Sequence, residues 1–140
     1  MATPSRAILS DLPKGHEFPP TTFELSADYV DAYLAATQDD NSVYADAGFA
    51  PPLAVAARAL GVLLDVIELP GGSLHTGQEV AVQAGVTAPA SLELSGRIAQ
   101  RSKRAGMIIA ALEFTVSEAD KSGPILLGRT TVMMSQEGSD

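Results

Sequence analysis

PPLAVAARALGVLLDVIELP, from Pro51 to Pro70, is the stretch on which the fold turns. A Pro-Pro pair opens it, and Pro70-Gly71-Gly72 closes it. Between Leu53 and Leu69 the charged residues are Arg58, Asp65 and Glu68. At about 100° per residue these three fall within roughly 80° of one another around a helix. Ala54 and Gly61 lie close to the same stripe, and every other direction is Ala, Val, Leu or Ile. The pattern predicts a helix buried nearly all round, with Leu60, Leu63, Leu64 and Ile67 almost fully enclosed. Leu53 to Leu69 would be about 26 Å long at 1.5 Å per residue. Three charges in that length argue against a membrane span, which needs about 20 largely uncharged residues. A single helix wrapped by a curved sheet is the expectation.

Upstream, Met1 to Leu12 reads as a polar start and Lys14 to Pro20 as a loop. Thr21 to Leu25 reads as a short strand. Ser26 is placed to N-cap a helix whose first turn holds Asp28, where the helix dipole favours an anion. Val30, Tyr33, Leu34 and Thr37 then recur at i, i+3, i+4 and i+7, one packed helical face. Gln38-Asp39-Asp40-Asn41-Ser42 is a polar turn, and Val43 to Phe49 a short helical turn before the long helix.

Downstream the period changes from helical to two. Glu79 to Ala84 is one candidate strand. Leu92, Leu94, Gly96 and Ile98 alternate with Glu93, Ser95 and Arg97, the mark of a half-buried strand. After a turn over Ser102 to Gly106, Met107 to Ser117 places Leu112, Phe114 and Val116 on one face and Glu113 and Thr115 on the other. Glu118 to Gly123 turns again, Ile125 to Met134 is the last strand, and Gln136 to Asp140 is a polar tail. Strands joined by short loops pair antiparallel. The class is therefore α+β, an antiparallel sheet rolled around one helix, in a single domain over residues 1–140 with polar termini at about 1–12 and 135–140.

Composition narrows the function. The chain has 140 residues, 46% hydrophobic and 19% charged, the balance of a globular domain with a real core. Nine basic against seventeen acidic residues give a net charge of −8, which argues against a nucleic-acid surface. There is no cysteine, and His16 and His75 are the two histidines, so neither thiolate chemistry nor a histidine metal cluster is expected. No cofactor is implied. The N-terminal stretch lacks the basic-then-apolar pattern of a signal peptide, making the cytoplasm the expected compartment.

The segment Gln38-Asp39-Asp40-Asn41-Ser42-Val43-Tyr44-Ala45-Asp46 resembles the MaoC-type hydratase/dehydratase family of hotdog proteins, whose signature is Gly-Asp-x-Asn-Pro-x-His. Asp39 and Asn41 match, Ser42 stands where Pro is usual, and Tyr44 occupies the histidine position. The resemblance continues through Ala47-Gly48-Phe49-Ala50-Pro51-Pro52, and Leu74-His75-Thr76-Gly77-Gln78-Glu79-Val80 is similar to the strand after the helix in double-hotdog dehydratases. The resemblance implies the hotdog fold, and a substrate that is an acyl thioester of coenzyme A or an acyl carrier protein. In that family the Asp and His activate water for addition to a trans-2-enoyl thioester, giving an (R)-3-hydroxyacyl thioester. A backbone N–H at the start of the central helix, normally from glycine, holds the thioester carbonyl. Carried over, Asp39, Tyr44 and His75 are the candidate catalytic residues, and Asn41, Gly48, Pro51 and Pro52 the candidate substrate-binding ones.

Two departures bear on the chemistry. A phenol such as that of Tyr44, with an ordinary pKa near 10, is a poor base at neutral pH. Pro51-Pro52 stands where catalytic halves carry His-Gly, and proline has no N–H for an oxyanion. The pattern resembles the non-catalytic half of double-hotdog dehydratases or a partner subunit of heteromeric ones. The first expectation is therefore a subunit non-catalytic alone, in a homo- or hetero-oligomer with another hotdog chain. A self-sufficient homodimeric hydratase using Asp39 with Tyr44 or His75 is the second. A thioesterase with Asp39 or Glu79 activating water is the third. Each residue also has a structural reading: Asp39-Asp40-Asn41 as a helix-ending turn, Tyr44 as a packed aromatic, Pro51-Pro52 as an ordinary helix start, and His75 as a satisfied strand residue. Arg97, Arg101, Lys103 and Arg104 could meet coenzyme A or carrier-protein phosphates, or form a solvated hairpin tip.

Overall fold

The computed structural model describes residues 6–45 and 48–135. The first five residues, the tail Gln136 to Asp140, and Asp46 and Ala47 of the motif lie outside the described residues. The elements in order are β1 (Ala7–Ile8), a 3₁₀ turn (Leu9–Asp11), β2 (Glu17–Leu25), α1 (Ala27–Thr37), α2 (Ser42–Ala45), α3 (Pro52–Leu64), β3 (Ile67–Glu68), β4 (Leu74–Val82), β5 (Ala90–Arg104), β6 (Met107–Glu118) and β7 (Leu126–Ser135). Five strands form one antiparallel sheet in the order β2-β5-β6-β7-β4, and β1 pairs with β3 in a small parallel sheet. The chain thus leaves one sheet edge at β2, crosses through its three helices, and reaches the opposite edge at β4. The α+β roll expected from periodicity is the observed architecture.

The inner face of the roll follows the alternation in the sequence. Leu92, Leu94 and Ile98 of β5, Leu112, Phe114 and Val116 of β6, and Leu126, Val132 and Met134 of β7 are buried. Val55, Ala59, Val62 and Leu63 of α3 complete this core. Ala54 and Ala59 are fully buried, and their small side chains let the helix lie close to its neighbours. Between β5 and β6 the chain turns through Ala105 and Gly106, both left-handed at φ 53° and 79°, a two-residue hairpin whose twist matches the strands.

Four expectations need correction. The central helix ends at Leu64 rather than Leu69, because Ile67 and Glu68 pair with Ala7 and Ile8. Arg6 fixes that ending, donating to the Leu64 carbonyl (2.9 Å), one of the groups a helix C-terminus leaves without partners, and to the Ile67 carbonyl of β3 (2.7 Å). For the same reason the N-terminal segment is more than a polar start: Leu9 is 1% exposed and belongs to the core. Nor is α3 buried nearly all round. Leu53 is 61% exposed, Ala57 and Gly61 are exposed, and Leu60 and Leu64 are half-buried, so one apolar stripe faces outward. The Arg58 guanidinium lies 5.5 Å over the Phe23 ring. Finally, β2 begins at Glu17 and runs through Pro19-Pro20, which a bulge between Phe18 and Thr21 accommodates on the edge strand.

On the outer face an ion-pair row crosses four strands. Glu113 accepts from Arg97 and from Arg129, each at 2.8 Å, and Arg129 also approaches Glu79 at 3.8 Å. The Arg97 hydrogen bond, the largest effect, holds the Glu113 carboxyl below its ordinary range; Arg129 adds to this, and partial burial opposes it. A depressed folded-state pKa contributes stability above the unfolded value of 4.5, and that contribution is lost as pH falls through the folded pKa. Glu113→Gln is expected to lower stability at pH 7 by about 0.5 kcal/mol, a value discounted for solvent screening. Urea denaturation should find the difference shrinking as pH falls below 4.5 and gone once it lies below the folded pKa. A difference that persisted there would show that the carboxyl acts other than as an ionised partner.

Candidate functional site

The motif residues sit between α1 and α3, and local hydrogen bonding explains their conformation. Ser26 caps α1, its Oγ accepting from the Tyr29 N–H at 3.0 Å. The helix ends where Gln38 turns left-handed at φ 55° and the Asp39 N–H reaches the Leu34 carbonyl at 3.0 Å. Asp39 is exposed, and its Oδ1 accepts from the Asn41 N–H at 3.1 Å. Asn41 in turn accepts from the Val43 N–H at 3.0 Å, capping α2. Both residues that match the signature are therefore engaged in turn chemistry. Tyr44 is half-buried on α2.

Gly48 is exposed and left-handed at φ 76°, a conformation that favours glycine regardless of space. The chain then passes beside residues 85–87: the Ala50 N–H donates to the Val86 carbonyl at 2.8 Å, and Phe49 bridges to Thr87. The Phe49 ring covers Gly85, where a Cβ would lie 2.9 Å from Cε1. This stitching delivers Pro51 and Pro52 to the start of α3. Pro51 is the N-cap, and its carbonyl accepts from the N–H groups of Ala54 (3.0 Å) and Val55 (3.2 Å). Pro52 fills the first helical position, so Leu53 carries the first N–H of the helix. From α1, the Tyr29 hydroxyl donates to the Ala54 carbonyl at 3.1 Å. Burial pushes the Tyr29 pKa up, and the nearby Arg58 charge partly offsets it.

His75 is on the edge strand β4, exposed, with Nε2 2.9 Å from the Gly77 carbonyl and donating to it in the Nε2–H tautomer. No hydrogen bond or ion pair joins Asp39, Tyr44 and His75 to one another among the described residues. Glu79 faces Arg129. Of the four cations near the β5–β6 hairpin, Arg97 is paired with Glu113, and Arg101 donates to the Ser10 carbonyl at 2.8 Å. Lys103 and Arg104 are the exposed pair at the tip.

Beside the start of α3 lies a cavity of about 20 Å³, lined by residues including Pro52, Val55, Val82 and Leu126. That is room for about one water molecule. Val82 of β4 is part of its lining, and the free edge of β4 exposes Leu74 by 59% and Val82 by 51%. On the inner side of the same edge is a polar pair the sequence does not signal. Thr130, 4% exposed, donates to Gln78 Oε1 at 2.7 Å. Nothing local marks it, since the partners are 52 residues apart.

No protein-family model and no curated protein matches the sequence. Solved structures do. The R-hydratase PhaJ1 of Pseudomonas aeruginosa superposes with a TM-score of 0.70 at 16% identity, over 91% of this chain and 85% of that one. The HadBC (3R-hydroxyacyl-ACP dehydratase) complex of Mycobacterium tuberculosis gives 0.72 at 21% identity, over 89% and 99%. The ChsH1–ChsH2 complex of the same organism gives 0.64 at 14%, over 87% and 98%. At such identities the likeness establishes the fold: the chain is a hotdog, with a sheet wrapped on its central helix. Among the described residues, no helix is long and apolar enough to cross a membrane.

Proposed function

We propose that this chain is a MaoC-like subunit of an acyl-thioester hydratase/dehydratase, non-catalytic alone, which completes the substrate tunnel of a catalytic hotdog partner. The substrate class is a trans-2-enoyl or (R)-3-hydroxyacyl thioester of coenzyme A or an acyl carrier protein. The observation that carries the reading is the cavity of about 20 Å³ at the start of α3, where the thioester would have to sit. An acyl group does not fit there. The space has to be finished from outside this chain, and the β4 edge and the Leu53-Ala57-Gly61 stripe leave apolar surface uncovered.

The chemistry agrees in direction. An oxyanion needs preorganised donors at the point where charge develops, and Pro52 removes one donor from the start of the helix. A general base must accept a proton near neutral pH, and Tyr44 stands in place of the imidazole. The Asp39 carboxylate is held in a turn with Asn41. A second hotdog chain pairing along β4 would cover the exposed edge and supply the missing groups in one step.

Sedimentation tests the assembly, and the expected result is a dimer or larger species. A stable monomer at micromolar concentration, alone and with candidate partners, would count decisively against it. Co-purification from the native host should yield a hotdog chain with the complete Gly-Asp-x-Asn-Pro-x-His signature, and the complex should turn over enoyl thioesters.

A further inference from the structure

One row of residues runs the full width of the sheet with its charges alternating in sign. Glu17 on β2, Arg97 on β5, Glu113 on β6, Arg129 on β7 and Glu79 on β4 are partners in register, each opposite the next. In the middle of the row Glu113 holds an arginine on either side at 2.8 Å. The row ends in a carboxylate at both edges. At β2 the sheet stops there, because Pro19 and Pro20 bring no N–H and the bulge beside them breaks register. The β4 edge has no such block. Leu74–Val82 is nine residues long without a proline, and among the described residues it is the last strand of the sheet. Glu79 is its one Asp, Glu, Lys or Arg. The Glu79 side chain is 81% exposed and its carboxylate lies 3.8 Å from Arg129 Nε, while Arg129 Nη1 donates to Glu113 at 2.8 Å. The last carboxylate of the row therefore has room for a second cation.

This inference rests on the reading that another hotdog chain extends the sheet at β4. We propose that Glu79 selects that partner by charge: the partner's edge strand carries a lysine or arginine opposite Glu79, and a second copy of this chain is disfavoured. Side chains directly opposite across an antiparallel pair are about 5 Å apart, and diagonal neighbours about 7–8 Å. A copy added with its core on the same side of the sheet brings Gly77, Glu79 or Ala81 opposite Glu79, the outward-facing residues in the middle of the strand. In all three registers the two Glu79 carboxylates are direct or diagonal neighbours, and β4 has no lysine or arginine to set between them. Like charges so placed weaken a strand pair. A cation there continues the alternation and gives Glu79 what Glu113 already has. A lone charge also serves to keep an edge unpaired, but Leu74 and Val82, 59% and 51% exposed on the same strand, favour an edge that is covered.

The test mixes the ¹⁵N-labelled chain with its Glu79→Lys variant and weighs the dimers by native mass spectrometry. At about 20 mM salt the mixed dimer should exceed its statistical share about tenfold, and the excess should shrink at about 0.5 M, where charges are screened. Glu17→Lys makes the same charge change at the opposite edge and should mix statistically. Statistical mixing with Glu79→Lys, an equal excess with Glu17→Lys, or an excess that salt does not reduce would each overturn the proposal. If Glu79→Lys does not fold, Glu79→Gln carries the test. Its homodimer should be about threefold tighter than the parent's at about 20 mM salt and equal to it at about 0.5 M; a homodimer no tighter at low salt would overturn the proposal. Monomers throughout these mixtures would overturn it as well. The subunit reading itself would fall only if the native host also yields no hotdog partner, so the two failures are distinguishable.

Discussion

Purified alone, the chain is expected to hydrate crotonyl-CoA and longer enoyl thioesters at no more than a trace rate. Loss of a general base typically removes about 10²–10⁴-fold, and loss of an oxyanion donor roughly 10²–10³-fold. Groups that act as a unit do not lose rate multiplicatively, so Tyr44→His alone should restore little while the helix start still lacks a glycine N–H at Pro52. Combining Tyr44→His with Pro51→His and Pro52→Gly is the variant expected to recover measurable hydration, if a carboxylate at Asp39 can leave its turn with Asn41. Robust turnover by the unmodified protein, abolished by Asp39→Asn, would overturn the non-catalytic reading. Turnover abolished by His75→Ala but not by Asp39→Asn would put the active site on the β4 edge instead. Release of free thiol from an acyl thioester by the purified chain would favour hydrolysis, with Asp39 or Glu79 on water.

Gly128→Val is expected to destabilise the fold by about 3 kcal/mol or more, the upper range for overpacking a core. Gly128 on β7 pairs with Phe114 on β6, and Gly96 flanks the same residue on β5. The Phe114 ring, 2% exposed, lies over Gly128 so closely that a Cβ there would overlap three of its ring atoms. Strand propensity predicts the opposite sign, because valine is favoured over glycine in a sheet. Urea denaturation therefore separates packing from propensity. Phe114→Leu should relieve much of the cost, giving a double-mutant coupling of more than about 1 kcal/mol. Gly128→Ala within about 0.5 kcal/mol of the parent would mean that the ring is free to move aside.

The buried helix and the three long strands are legible in the sequence because their signals are local. Alternation in Leu92-Leu94-Gly96-Ile98 and Leu112-Phe114-Val116 decides which side chains enter the core without reference to any partner. The α1 cap at Ser26 is local in the same way. The end of the central helix is not, since it depends on Ile67 meeting Ala7 and on Arg6 reaching the Leu64 carbonyl 58 residues away. The Phe114–Gly128 contact and the Glu113 network exist only once register is set, because side chains on neighbouring strands have no fixed spacing in the chain.

The candidate site divides along the same line. By itself the sequence determines that Asp39 and Asn41 stand in the order of a hydratase signature, that a phenol replaces the imidazole at Tyr44, and that Pro52 brings no N–H to the helix start. Covalent structure alone fixes those properties. The turn in which Asp39 and Asn41 engage their side chains is local too, each bond reaching two residues along the chain. Tertiary structure decides that His75 lies on an edge strand, and that the cavity at Pro52 is about 20 Å³ while one under the Pro19-Pro20 bulge is about 150 Å³. Cavity volume is what remains after distant segments have packed, and no local pattern of residues encodes that remainder.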